Sequence, residues 1–207
     1  ADLSGLQLIE TNFTGANLKG ANLTGTNLSG ANLSEANLTN ANLSNSSINY
    51  TELKNANFTD ANLSNSYINN VDFADVIFIG ANFSGIDFSY NEELTNLNAS
   101  GANFSGANLN HAVFTGSNLS GATISNEFRN ANFSNTDLSG ASIHFSETGS
   151  RGSNFSGADL SNVHLGGASL YSLNFQGANL SGANLSNVDA RTTLFQYSNL
   201  TNADLSS

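Results

Sequence analysis

Few of the residues that usually carry acid–base or metal chemistry occur in this chain, and they share no motif. The three histidines, His111, His144 and His164, are scattered. Ser and Asp are so frequent that a Ser–His–Asp proximity would arise by chance. His144 and His164 are 20 residues apart, but an irregular stretch lies between them. Cys is absent, which excludes a thiolate zinc site. We therefore expect no catalytic residue, no metal site and no cofactor.

A second group of side chains is acidic. Glu52 and Asp72 are 20 residues apart, and Glu92 and Glu93 follow about one further period later. In a coil of that period these carboxylates would form a short stripe of like charge along one side. An acidic stripe is a candidate surface for a protein partner.

A third feature is the sequon Asn-X-Ser/Thr, which recurs along the chain because Asn precedes a large apolar residue and Ser or Thr follows it. If the protein passes through a glycosylating secretory route, we expect these asparagines to face outward and to accept glycans. The candidate glycosylation sites are Asn22, Asn27, Asn32, Asn37 and Asn42.

The charge balance excludes some partners. The formal net charge is −11, with 16 acidic and 5 basic residues, and only 10% of the residues are charged. Nucleic-acid affinity requires Lys and Arg to release counterions, so we expect no direct binding of nucleic acid. No apolar run approaches the roughly 20 residues that span a bilayer, so we expect no membrane span in this segment.

A five-residue repeat positions all these side chains, and it is clearest over residues 16–43. That stretch reads Ala-Asn-Leu-Lys-Gly, Ala-Asn-Leu-Thr-Gly, Thr-Asn-Leu-Ser-Gly and continues in the same way. We call the Leu or Phe of each unit the centre, the residue two before it the small position, and the residue two after it the corner. The periods of a helix and of a strand do not divide five, so either structure would spread the centres over all faces.

A chain that turns by about 90° once per unit would instead point every centre inward, and four units would close a square coil. The corners support this geometry, because turns with positive φ select Gly and Asn, as at Gly15, Gly20 and Asn40. Ala at the small position fits beside a large centre in a narrow interior. Pro is absent, as expected if each coil donates N–H groups to the next.

The tandem motif A(D/N)LXX resembles the pentapeptide repeat family, and the resemblance covers essentially the whole chain. It implies an all-β fold, a right-handed quadrilateral parallel β-helix of about 10 coils of 20 residues. The whole chain, 1–207, is then one solenoid domain, with register breaks near 89–93, 125–127 and 144–152.

The period also predicts which side chains form the core. Phe73, Phe78, Phe83 and Phe88 are four consecutive centres and should make one coil of phenylalanines. Phe128 belongs to the column of Phe155 if the break after Ile143 hides no further unit, and Phe145 is the one Phe that occupies no centre. The predicted core includes Leu18, Leu23, Leu28, Leu33, Phe73, Phe78, Phe83, Phe88, Phe155, Phe175 and Phe195.

Departures from a regular lattice are where a solenoid can carry specificity. We therefore place the candidate partner surface at the acidic stripe and at the breaks. Its residues are Glu52, Asp72, Glu92, Glu93, His144, Glu147 and Arg151.

The repeat runs close to both ends of the sequence without an amphipathic capping helix. Three explanations remain open: the caps lie in further sequence, the end coils of successive molecules stack into a filament, or the ends tolerate exposure. We expect a non-enzymatic structural or interaction rod, with a protein partner that the sequence does not identify and with self-association through the end coils.

The alternative comes from the resemblance, because some family members are DNA mimics that bind a type II topoisomerase such as gyrase. This chain departs from that subgroup, since its charge density is low and its outer positions are mostly Asn, Ser and Thr.

Overall fold

A computed structural model describes residues 1–89, 93–145 and 150–207. The chain winds into a right-handed quadrilateral β-helix, which confirms the expected fold. Successive coils pair in parallel through single bridges about 20 residues apart, as in Asn22 with Asn42 and Asn42 with Asn62. In the described part of the chain, only two strands are longer than one bridge. These are β1 (Thr123–Ser125) and β2 (Ser142–His144), which pair in parallel.

The backbone of each unit bonds to the coils on both sides. The N–H of a centre, Leu23, donates to the C=O of Asn42 in the next coil at 2.7 Å, and the corner Gly25 donates to Ser44 at 3.0 Å. Asn42 in turn donates back to Ala21 at 2.9 Å. A proline at any of these positions would remove one such bond, which explains its absence.

The corners are β-turns in which the chain direction changes. Ala21 donates to the C=O of Leu18 at 2.9 Å across the turn, and the corner Gly20 has a φ of 62°. Positive φ at this position alone is typical of a type II turn. Tyr50 and Thr192 adopt the same conformation, each with a φ of 56°, although side chains of these types disfavour it. The stacked lattice therefore imposes the turn even where the corner residue does not favour it.

The centres form one continuous core, as predicted. Every predicted core residue is buried except Phe195, which is half-buried at the last turns of its column. Phe73, Phe78, Phe83 and Phe88 enclose one coil, with neighbouring ring centroids 5.0 to 6.5 Å apart. Four consecutive centres thus fill one coil of the interior with phenylalanine rings.

A second group of phenylalanines stacks along the axis, and here one expectation is wrong. Phe133, not Phe128, lies directly over Phe155, with ring centroids 5.0 Å apart and planes inclined by 6°. The stack continues to Phe175 at 5.2 Å and to Phe195 at 5.5 Å. Phe128 meets Phe155 edge-on instead, at 6.3 Å and 86°.

The break after Ile143 does hide a further unit, and this unit shifts the count. Ser150 occupies its centre and is buried, and Gly152 forms its corner with a φ of 75°. A serine leaves space in a column of large side chains. Phe145 contributes the missing volume, because its ring is buried 5.4 Å from that of Phe128 and 5.6 Å from that of Phe155.

Candidate interaction surface

The regular sides of the rod carry ladders of asparagine amides. Asn62 Nδ2 donates to Asn42 Oδ1 at 3.2 Å, Asn82 Nδ2 to Asn62 Oδ1 at 3.0 Å, and Asn103 Nδ2 to Asn82 Oδ1 at 3.2 Å. The Oδ1 of Asn82 also accepts the N–H of Ser84, two residues later, at 3.0 Å. These amides are therefore engaged within the lattice, and they leave little hydrogen-bonding capacity for a partner.

The candidate glycosylation sites belong to the same kind of ladder. All are half-buried: Asn22, Asn27, Asn32, Asn37 and Asn42. Asn27 Oδ1 accepts the hydroxyl of Ser29 at 2.7 Å, while Asn27 Nδ2 donates to Gln7 Oε1 at 3.1 Å. A glycan on Nδ2 would have to disturb that bond between coils. The expected outward orientation is thus only partial, and glycosylation itself stays a prediction.

The acidic stripe lies along one side of the rod. Glu52 and Asp72 are exposed and line a hollow of about 380 Å³ together with Lys54 and Asp75. Asn32 Nδ2 donates to Glu52 Oε2 at 2.5 Å. Glu93 is exposed and, by the count of units, comes one coil after Asp72. The predicted residue Glu92 lies outside the described residues.

The break region supplies two described members of the predicted partner surface, and Glu147 lies outside the described residues. His144 is exposed after the centre Ile143, and Arg151 is exposed after the next centre, Ser150. They therefore occupy consecutive sides of the coil rather than one face.

A column of basic and aromatic residues, which we call the arginine column, runs along the side that carries Arg151. It consists of Arg129, Arg151, Tyr171 and Arg191, each directly after a centre and one coil apart. Backbone bonds fix the register at two steps: Asn130 N–H donates to Arg151 O at 3.0 Å, and Ser172 N–H donates to Arg191 O at 3.3 Å. The column holds three of the five basic residues of the chain.

The Tyr171 ring lies between two guanidinium groups. Arg151 Cζ is 5.0 Å from the ring centroid and Arg191 Cζ is 5.9 Å from it, both within the range of cation–π attraction. Arg191 also forms a bidentate pair with Asp189, from Nε to Oδ1 at 2.8 Å and from NH2 to Oδ2 at 2.6 Å. These bonds raise the pKa of Arg191 and lower the pKa of the Asp189 carboxyl below its ordinary value of 3.8.

Arg191→Gln is expected to raise the pKa of Asp189, as measured by NMR titration of its carboxyl carbon. The largest cause of the lowered pKa is the side-chain bond from Arg191, so its loss should bring the midpoint back toward 3.8. Because the folded pKa lies below the unfolded one, the pair stabilises the fold fully above about pH 4, and this contribution is lost as pH falls through the folded pKa. An unchanged midpoint in the variant would show that the pair does not form in solution.

Arg151 is the residue that connects the features of the column. It lines a hollow of about 460 Å³ with Tyr171 and Asn187, and another of about 450 Å³ with Arg129 and Ser172. Within the described ranges, no carboxylate lies at ion-pairing distance from Arg151. The Arg151 side chain is exposed, so an acidic group from outside can reach its guanidinium.

Two further properties, a grouping of metal ligands and a membrane-spanning helix, can be checked in the described residues. Among the residues that the structure describes, no three His, Asp or Glu side chains are grouped so as to hold a metal ion. The described ranges also contain no helix of the length and hydropathy that crossing a membrane would require.

Arg129, Tyr171 and Arg191 were not among the surface residues predicted from the sequence. A signal was present, since Arg151, Tyr171 and Arg191 are spaced by 20 residues. Arg129 gives no such signal, because the break between it and Arg151 adds two residues to the period.

A family model described as pentapeptide repeats matches in 8 copies, at residues 1–40, 26–65, 36–73, 56–89, 93–126, 127–147, 151–187 and 174–207. No curated protein sequence matches the chain.

Several solved structures are similar. HetL, a pentapeptide repeat protein from Nostoc sp. Strain PCC 7120 involved in heterocyst differentiation regulation, is 24% identical; the match covers 98% of this chain and 84% of HetL, with a TM-score of 0.38. Full-length QnrB1, a plasmid-mediated fluoroquinolone resistance protein, is 19% identical over 97% of this chain and 92% of its own, with a TM-score of 0.42. AT2G44920, from the Arabidopsis thaliana thylakoid lumen, is 28% identical. The match covers 61% of this chain and 66% of AT2G44920, with a TM-score of 0.18.

Proposed function

This chain belongs to the pentapeptide repeat family, and we propose that it is a non-enzymatic interaction rod that binds an acidic protein surface through its arginine column. The observation that carries the proposal is the concentration of three of the five basic residues in one column of a chain whose net charge is −11. Guanidinium groups bind carboxylates through paired, charge-assisted hydrogen bonds. The regular Asn and Ser sides offer no comparable group.

A rigid rod suits this role. Its core is continuous, and its surface amides are bonded within the lattice, so that binding requires little reorganisation of the rod. The hollows described above, beside Glu52 and on either side of Arg151, are lined by no histidine. These features favour a binding role over catalysis.

The test uses an oligoglutamate peptide as the acidic probe. Shifts of amide NMR signals on titration should concentrate at the arginine column, and Arg151→Ala should weaken binding at least tenfold. Lys19→Ala removes one positive charge elsewhere on the rod and serves as the matched control, with affinity close to that of the wild type. Shifts spread evenly over the rod, or equal losses in both variants, would contradict the proposal.

Two other functions stay predictions. Stacking of end coils would give filaments, which electron microscopy of the purified chain would detect. A gyrase-binding DNA mimic would inhibit or protect gyrase in a supercoiling assay. A column of arginines is a poor feature for mimicry of a polyanion, so we favour the arginine column as the binding surface.

A further inference from the structure

We infer that Tyr171 positions Arg151 to receive a single carboxylate, and that this ring sets the affinity of the arginine column for an acidic partner. The inference rests on the proposed function, that the column binds carboxylates. It names the group that is bound, one carboxylate at Arg151, and the side chain that prepares the site. Tyr171 acts through Arg151 and is therefore a positioning residue.

The stack of Arg151 on Tyr171 follows from the repeat. Both residues come directly after a centre, and they are one coil apart. Coils of a parallel β-structure are spaced by about 4.8 Å. Arg151 Cζ lies 5.0 Å from the centroid of the Tyr171 ring, so the guanidinium covers the ring at the natural spacing of the rod. Cation–π attraction holds the guanidinium there without the use of a carboxylate.

The Tyr171 ring is itself supported from the next coil. Arg191 Cζ lies 5.9 Å from the ring centroid. The Arg191 side chain is fixed by its two bonds to the Asp189 carboxylate, at 2.8 and 2.6 Å, and the Arg191 backbone N–H also donates to Asp189 Oδ1, at 3.2 Å. Contacts thus run from Asp189 through Arg191 to Tyr171, and they fix the surface on which Arg151 rests.

The arginines of the column differ in the partners that the rod gives them. Asp189 stands two residues before Arg191 and pairs with it, whereas Gly149, which has no side chain, stands two residues before Arg151. Arg129 has an interaction of its own within the protein. The column therefore offers Arg151 to a partner, and it receives one carboxylate rather than a cluster of them.

Holding Arg151 in advance removes part of the cost of binding. A mobile arginine side chain loses rotamer freedom when it pairs with a carboxylate, and this loss opposes association. A side chain that already rests on Tyr171 has less freedom to lose. From the usual cost of immobilising one long side chain, loss of the ring should weaken binding about threefold to tenfold.

NMR titration with two peptides, each blocked at both ends, tests the inference. One is oligoglutamate, and the other is a Gly-Ser peptide with a single central glutamate. Oligoglutamate should bind the wild type more tightly by no more than the number of its glutamates, because each glutamate offers the same single contact. Tyr171→Leu should weaken the binding of both peptides about threefold to tenfold. Tyr171→Phe keeps the aromatic face and should bind close to the wild type.

Two controls separate positioning from a change of fold. Tyr67→Leu removes an exposed tyrosine elsewhere on the rod and should leave the affinity unchanged. The side-chain protons of Arg151 should show upfield ring-current shifts in the wild type and in Tyr171→Phe, and should lose them in Tyr171→Leu. The lowered pKa of Asp189 should be the same in all three proteins, because its largest cause is the side-chain bond from Arg191.

The possible failures are distinguishable. Wild-type affinity in Tyr171→Leu, together with a loss in Arg151→Ala, would refute the positioning role and leave the proposed function standing. Unchanged binding in Arg151→Ala would refute the proposed function and the inference with it. Equal losses in Tyr171→Phe and Tyr171→Leu would assign the effect to the hydroxyl and overturn the inference. Oligoglutamate that binds more tightly than the number of its glutamates allows would show that several carboxylates bind at once, which would overturn the single contact.

Discussion

Phe155→Ala is expected to lower the free energy of unfolding by about 3–5 kcal/mol, the usual cost of removing a buried phenylalanine ring. Phe155 is fully buried and lies between Phe133 and Phe175, with ring centroids 5.0 and 5.2 Å away. Stacked coils fixed by backbone bonds on both sides have little freedom to collapse into the cavity. Urea denaturation followed by far-UV circular dichroism measures the change.

The matched control is Phe195→Ala in the same column. Phe195 is half-buried, and its ring stacks on Phe175 at 5.5 Å, so its removal deletes fewer contacts and leaves an open depression rather than a closed cavity. It should cost clearly less than Phe155→Ala. Equal costs at both positions would show that the column does not stack as described.

Ala81→Leu is expected to destabilise the rod by about 1–3 kcal/mol, because it overfills a packed interior. Ala81 is fully buried at the small position between the centres Phe78 and Phe83, whose rings are 5.0 Å apart. The extra methylene and methyl groups have no space unless the rings leave their rotamers. The same denaturation experiment measures the loss.

Ala74→Leu, in the same part of the chain, is the control for this substitution. Ala74 is exposed directly after the centre Phe73, so a larger side chain there points to solvent. We expect a change within about 0.5 kcal/mol of the wild type. A neutral Ala81→Leu would mean that the phenylalanine coil contains unfilled volume.

The two pairs of variants test two separate packing requirements of the square interior. A large centre is needed to fill each side, and a small neighbour is needed to leave room for it. Both demands follow from interior packing at crystal-like density. This explains how a sequence with 39% hydrophobic residues can maintain a continuous core: most of its leucines, and every phenylalanine except Phe145, are placed at centres.

The proposed interaction surface uses the same lattice differently. Arg151, Tyr171 and Arg191 come together only because each follows a centre in successive coils. Residues that are 20 apart in the sequence lie one coil apart in the rod, so charges that are distant in the sequence can form a column. Charge placement along the sequence thus sets which charges lie together on one side of the rod.

The fold could be predicted from the sequence because the period is local and strict. A unit of five residues with a large centre and a Gly or Asn corner has one consistent solution, in which all centres face inward. That reasoning also predicted the phenylalanine coil from Phe73 to Phe88, since no break interrupts it.

Only the tertiary structure decided the register across the breaks. Ser150 lacks the side chain of a centre, and Phe145 fills the interior from outside the repeat, so counting units pairs Phe155 with Phe128 instead of Phe133. The physical reason is that the interior has two requirements: its volume must be filled, and the backbone must pair with the neighbouring coils. Several combinations of residues satisfy both requirements. The same break determines that Arg129 lies above Arg151, and so the full arginine column exists only in the folded rod.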